Sequence, residues 1–537
     1  MHWSLDIWRG RAACALWLAL LGPGCTAELD GPAPASSTAA ALTTAGADLT
    51  TPGSRAFAAT ATPALVDGVR LWLVPDTPNG LHPNQSWFAV AGAPDGSIYV
   101  SGQDHLTNSA LYRLRPDSDV LRYVGDARAA SEAANNWLPW ETAEKFHVRP
   151  TWYRGRVYVA TADYSNQDDG YLERRGFHWY AYDVRDKTFL DLSAREPGGV
   201  GAEHISIFAA ALDERRGLLY GLGSPTSHLY QYDIASGVTR DLGRSPELSR
   251  TFYNPGRFIW VDDGGRVYMT VGTAGTLAPG EPATPLYVFY WDPVAGWGSR
   301  RDWPIAQMLR TGQWSRDRKR CYILDYPLNL YLFDDERDTF THLGQGVLDA
   351  EHVSPRTGAI RVRSMNLSAN EKKIYLVNDS AAANSLFEWE FGATSVPREL
   401  LRVEAMDARL DARYSAYTGH DSWDARGRFY VTGFGGEGSG PSPDLYFVGI
   451  DPVRLKAALG VLPGVPVVRL SGRGRDARLV RSGDRSTELE VLLERDAGSG
   501  TAFATVVMPA GARHARVGLG GDHWRVIPDG DTYGVAP

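Results

Sequence analysis

Residues 154–161 read RGRVYVAT. Arg154-Gly155 marks a tight turn, and Val157-Tyr158-Val159 is a β-branched and aromatic run suited to a strand. The same pattern recurs as DGSIYVSG, RGLLYGLG, GGRVYMTV, RKRCYILD, EKKIYLVN and RGRFYVTG, placing Tyr99, Tyr158, Tyr220, Tyr268, Tyr322, Tyr375 and Tyr430 at spacings of 59, 62, 48, 54, 53 and 55 residues. A further strand-like run follows each one: ALYRLRPD, HWYAYDVR, HLYQYDIA, LYVFYWDP, NLYLFDDE, SLFEWEFG and DLYFVGID. Several units continue into a fourth run, such as Thr188-Phe189-Leu190-Asp191-Leu192. Seven units of four short antiparallel strands predict an all-β fold, a seven-bladed β-propeller. The last unit is short of an outer strand near residue 451, and Val69-Arg70-Leu71-Trp72-Leu73-Val74 could supply it and close the ring.

Outside the repeats the chain divides by composition. Arg9 and Arg11 precede the apolar run Ala12 to Leu21, which is too short for a stable span and reads as an export signal over 1–25. Leu21-Gly22-Pro23-Gly24-Cys25 is similar to a bacterial lipoprotein box, with Gly22 where an aliphatic residue is usual, so Cys25 is the expected lipidation site. The cell surface, the outer membrane or the medium is then the expected location, with any membrane attachment made through that lipid. Residues 26–62 are rich in Ala, Thr, Ser, Pro and Gly and read as a flexible tether. The propeller is expected over 63–463, with a short helix from Pro452, and a small C-terminal β appendage over 464–537.

The 537 residues carry a formal net charge of -8, which gives no reason to expect nucleic acid or an anionic membrane surface as partner. Of three Cys residues only Cys321 lies in the folded part, which excludes an intrachain disulfide and Cys-based zinc sites there. Cys321 reads as a small buried hydrophobe. The chain is expected to be a monomer.

In such a fold the head of the first strand, the end of the second and the start of the third meet on one face. Aligning on the seven Tyr residues places Gln85-Ser86, His147, His204, Tyr253 with Arg257, Gln313, Arg363 and His420-Asp421 at first-strand heads. Asp104-His105, Asp163-Tyr164, Ser224, Asp325-Tyr326 and Asn378-Asp379 fall at second-strand ends, and His178 and His228 at third-strand starts. One sector gathers His147, His178, His204, His228, Tyr253 and Arg257, out of only 12 His in the chain. It also carries the charged insertion YSNQDDGYLERRG, residues 164–176. His, Tyr and Arg together suit proton abstraction beside a carboxylate, where a cation neutralises the carboxylate while a neutral base takes the proton. A divalent metal held by His147, His178, His204 and Asp163 is a further reading, although no HxH or HExxH spacing supports it. There is no Gly-x-Ser-x-Gly elbow, and GFGGEGSG (433–440) lacks the Lys-Ser/Thr and the helix of a phosphate loop. Solvated loop residues with no chemical role are the plain alternative for each rim side chain.

The ordered pieces KFH, GRVYVAT, RRGFHWYAYD, LDERRGLLYGLGSPTSHLYQYD and TRDLG, over residues 144–270, resemble the seven-bladed ulvan lyases. These cleave uronate-containing sulfated polysaccharides by β-elimination. The resemblance implies an acidic polysaccharide as partner, His147 as a catalytic or carboxylate-facing His with His178 beside it, and a Tyr and an Arg from the following blades. Ser224 stands where an aromatic hydroxyl would serve. Tyr253 or Tyr164 could replace it, and Arg257 or Arg240 could neutralise the carboxylate, with His204 and His228 in substrate contact. A non-catalytic propeller binding a glycan or a protein through the same face is the other reading.

Overall fold

The computed structural model describes residues 57–116, 118–163, 169–272, 284–354, 360–368, 370–379, 383–424, 426–435 and 442–459, and short strands between 467 and 534. The chain is mostly β, arranged in many antiparallel sheets, and its described α-helices are the short segments Ala127–Ala133, Val403–Met406 and Pro452–Ala458. Arg154 and Gly155 make the two-residue turn the sequence suggests. Both have positive φ, 47° and 83°, and Tyr153 pairs directly with Arg156. That is the backbone twist that joins adjacent antiparallel strands tightly.

Each repeated Tyr lies on the second strand of a sheet. The second strands are Ile98–Gln103, Arg156–Ala162, Leu218–Ser224, Val267–Met269, Arg320–Asp325, Ile374–Val377 and Phe429–Phe434. All seven Tyr side chains are buried, because alternate residues of these strands face the neighbouring sheet. Sheets run first, second, third, fourth strand in chain order, as in Ser206–Asp213, Leu218–Ser224, Leu229–Asp233 and Val238–Asp241. The last one is completed from the other end of the chain: Val69–Leu73 pairs antiparallel with Tyr446–Ile450, with Trp72 opposite Phe447. Within the stretch read as tether, Ala58–Thr60 pairs with the outer strand of the first sheet, Thr60 opposite Val120.

First strands of successive sheets lie side by side. Arg363–Leu367 pairs parallel with Ala416–His420, which lies against Val90–Gly92 of the first sheet. The Arg257 amide donates to the Leu309 carbonyl of the next first strand at 3.0 Å. The core fills the spaces between sheets. Phe146, Trp179, Tyr180, Tyr230 and Tyr232 form one such layer, and each ring taken out of water contributes about 1.5–3 kcal/mol. Beyond residue 464 the described strands pair as Val467–Leu470 with Ala504–Val507 and Glu488–Leu492 with His514–Gly518.

Two placements differ from the alignment on Tyr. Gln313 and His420-Asp421 sit at the far ends of their first strands, since Gln313 is opposite Tyr322 and Ala416, not His420, is opposite Phe434. There Gln313 donates to Asp421 at 2.9 Å, and Arg149 also pairs with Asp421.

Cys321 is fully buried, and burial pushes its thiol pKa well up. An aromatic disulfide reagent is therefore expected to leave Cys321 unmodified in the native protein and to label it only in denaturant. Rapid native labelling would show that this strand opens.

Candidate functional site

His178 begins the strand Trp179–Asp183 and points between two carboxylates. Its Nε2 lies 2.7 Å from Glu141 and its Nδ1 3.1 Å from Asp191. Burial opposes charge on the ring, but the hydrogen bonds and charges of Asp191 and Glu141 outweigh it and raise its pKa to about 9. Burial likewise opposes charge on the two acids, and His178 keeps both below their ordinary range. His178 is a buried cation, protonated at both nitrogens at neutral pH, and so is not available as a base.

Tyr253 is also enclosed. It packs with Leu248, Ile259 and Val271, and its hydroxyl accepts from the Arg250 amide at 3.2 Å. His228 pairs with Asp241 at 3.0 Å. Arg240 lies exposed on the outer strand Val238–Asp241, away from the first strands. His204 lines a cleft of about 320 Å³ with Trp140, Leu172 and Arg174. Its Nδ1 lies 2.6 Å from the Arg174 carbonyl, which only accepts, so Nδ1 is the donor there. Tyr164 and Cys25 lie outside the described residues. Nor do His147, His178, His204 and Asp163 form a metal cluster among the described residues, because His178 is committed to Glu141 and Asp191.

His147 and Arg257 do come together. Both pack on Phe208, His147 stacked at 4.7 Å and Arg257 with its guanidinium 4.2 Å from the ring centre. The His147 Nδ1 proton is donated to the Phe208 carbonyl at 3.0 Å. Lys145 lies over the same ring at 5.4 Å, and its ammonium is 3.3 Å from Nε2 of His105. Burial, with the Lys145 charge, holds His105 far below the usual histidine range, so it is a neutral acceptor.

From His147 the cluster extends across the first strands. Phe88 lies 5.2 Å from His147, and Arg310 is 5.4 Å from Phe88. Arg310 stacks on Tyr326 at 3.7 Å, while Arg361 donates to the Tyr326 hydroxyl at 3.1 Å. Arg363 lies over Trp87 at 4.3 Å and pairs with Asp379 at 2.8 Å. The arginines are buried, whereas Tyr326 keeps partial access to solvent. Asp163 and Asp325 are pushed up to about 7, both mainly by burial, with Glu144 adding to the effect at Asp163. Lys145, Arg257, Arg310, Arg361 and Arg363 thus gather along these strands, with guanidinium groups against aromatic rings and Asp379 paired to Arg363.

Sequence reasoning placed Arg363 and Tyr326 on the rim without selecting them, and missed Arg310 and Arg361. The bulge between Leu309 and Thr311 breaks the register from which first-strand heads were counted. A cation two residues before the repeated Arg363 was the available signal for Arg361.

No family model matches the chain, and no curated protein does. Among solved structures it is similar to a chain of the crystal structure of the mitotic checkpoint complex, with a TM-score of 0.40 and 12% identity over 75% of this chain and 98% of that chain. So distant a likeness carries no functional argument.

Proposed function

We propose that the chain is an exported seven-bladed β-propeller that binds an acidic, uronate-containing polysaccharide over the cationic and aromatic cluster and cleaves it by β-elimination, as its resemblance to ulvan lyases implies. The observation that carries the reading is Tyr326, whose hydroxyl accepts from Arg361 and whose ring lies against Arg310. Both guanidinium groups stabilise negative charge developing on the phenolic oxygen. In the reaction the phenolate takes the proton at C5 of the uronate, the C4–O4 bond breaks as the C4–C5 double bond forms, and the departing oxygen takes a proton from the phenol. A second cationic group neutralises the uronate carboxylate as charge builds at C5; Arg257 or Lys145, beside His147, suits this role. Seven repeated Tyr strands and the pairing of Val69–Leu73 with Tyr446–Ile450 support the propeller. Export rests on the N-terminal apolar run and Cys25; no helix among the described residues is long and apolar enough to cross a membrane.

A second reading, binding without cleavage, is favoured by one observation: His178 and Tyr253, two groups the resemblance would employ, are locked into the interior. Incubating the purified protein with a panel of uronate polysaccharides and following the ultraviolet absorbance of the unsaturated product separates the two. A rise is expected on at least one polymer. A flat trace on all of them, together with saturable binding to one, overturns cleavage and leaves the binding reading.

A further inference from the structure

In the sheet that carries Tyr375, the turn Ala350–His352 and the outer strand Arg398–Arg402 bring Glu351, His352 and Glu399 together. The donor atoms of the three lie within 4.8 Å of one another. The His352 ring is 1% exposed. Its Nδ1 is 3.2 Å from the Ala383 carbonyl, an atom that only accepts, so Nδ1 is the donor there and Nε2 is the nitrogen left to face the carboxylates. Nε2 is aimed between Glu351 Oε1 and Glu399 Oε2, 3.6 Å from each.

That distance separates two explanations. An imidazole hydrogen-bonded to carboxylates stands about 2.7–2.9 Å from them, as His178 nearly does with Glu141 and Asp191 at 2.7 and 3.1 Å. His352 does not close on its acids. Two donors on one tetrahedral ion, each about 2.0–2.1 Å from it, stand about 3.4 Å apart; the two His352 gaps of 3.6 Å are near this, and the three donor atoms lie within 4.8 Å of one another.

The outer shell is built as well. Each carboxylate turns its other oxygen to a fixed donor: Arg402 reaches Glu351 Oε2 at 2.7 Å and Glu399 Oε1 at 3.1 Å, and Ser385 donates to Glu399 Oε1 at 2.6 Å. A backbone carbonyl fixing the tautomer and donors orienting the carboxylates are the supports that metal ligands require. Glu351 and Glu399 are partly exposed, so an ion has a path in.

We propose that Glu351, His352 and Glu399 form a divalent transition-metal site suited to Zn²⁺, with water completing the coordination. The mixed nitrogen and carboxylate donors favour such an ion over Ca²⁺ or Mg²⁺, which take oxygen ligands. The site ties the Ala350–His352 turn to the outer strand Arg398–Arg402 and does not depend on the glycan reading.

The full chain, stripped with chelator, is titrated with ZnCl₂ by calorimetry and with Co²⁺ by visible absorption. One equivalent is expected to bind, with a ligand-field band of low coordination number. Glu351→Gln and His352→Gln should each remove that equivalent, and Ser385→Ala should weaken it by about 10–100-fold. Glu351 is exposed, so Glu351→Gln remains informative even if His352→Gln does not fold. Failure of the wild type to take up zinc overturns the site. So does an unchanged equivalent in Glu351→Gln, or displacement of Co²⁺ by an equal concentration of Ca²⁺.

Discussion

Replacing His178 by alanine is expected to destabilise the protein by about 3–5 kcal/mol, because it removes the cation that two buried carboxylates share and leaves Asp191 with neutral donors. Glu141 and Asp191 are both essentially inaccessible, at 2% and 0% side-chain exposure. Arg175 also reaches Glu141 at 2.7 Å, and Ser131 and Asn136 donate to Asp191 at 2.7 and 2.8 Å. Arg175 keeps a cation at Glu141, so the uncompensated charge falls mainly on Asp191. The double variant His178→Ala with Asp191→Asn should recover part of the loss, since it removes the charge left without a cation.

The pH dependence gives the argument its sign. His178 has a raised pKa in the folded state, so its contribution is complete below the unfolded value of about 6.5 and is lost as pH rises through about 9. Glu141 and Asp191 are depressed, so their share is present above their unfolded values and lost as pH falls through the folded ones. Urea unfolding of wild type and His178→Ala should therefore differ most near pH 5–6 and converge toward pH 9–10. A difference that stays constant from pH 6 to 10 would show that His178 is neutral in the folded protein.

This network illustrates why the sequence disclosed the repeat more fully than the site. Tyr99 and its six counterparts were visible because a buried second strand needs an apolar-Tyr pair each time, and local strand chemistry suffices to reveal it. The closing pair of Val69–Leu73 with Tyr446–Ile450 was visible for the same reason: one unit lacked an outer strand and an unassigned strand remained. His178 was placed at the start of its strand, yet its role depends on Glu141, a loop residue 37 positions earlier that carries no pattern of its own. Arg310 was hidden by a one-residue bulge that moves a strand head by half a repeat of the pleat. His352 lay outside every aligned strand, and only the folded chain brings Glu399 beside it.

Replacement of Tyr326 by phenylalanine tests the proposed chemistry with the least disturbance to packing. The ring stays on Arg310, and only the hydroxyl that accepts from Arg361 is removed. If this oxygen moves the proton, kcat should fall by about 10²–10⁴-fold, the usual worth of a positioned acid–base group. KM should change little, because charge recognition rests on the arginines. Under the binding reading the same change deletes one neutral acceptor worth about 1 kcal/mol, and affinity for the polysaccharide should shift only about fivefold. Arg310→Lys provides the complement: it keeps the charge but loses the planar face that stacks on Tyr326, so it should impair kcat as well as binding. A Tyr326→Phe enzyme with undiminished kcat would remove Tyr326 from the reaction. His147 would then be the group to examine, since it packs on the same Phe208 ring as Arg257 and Lys145 and its Nδ1 is held by the Phe208 carbonyl.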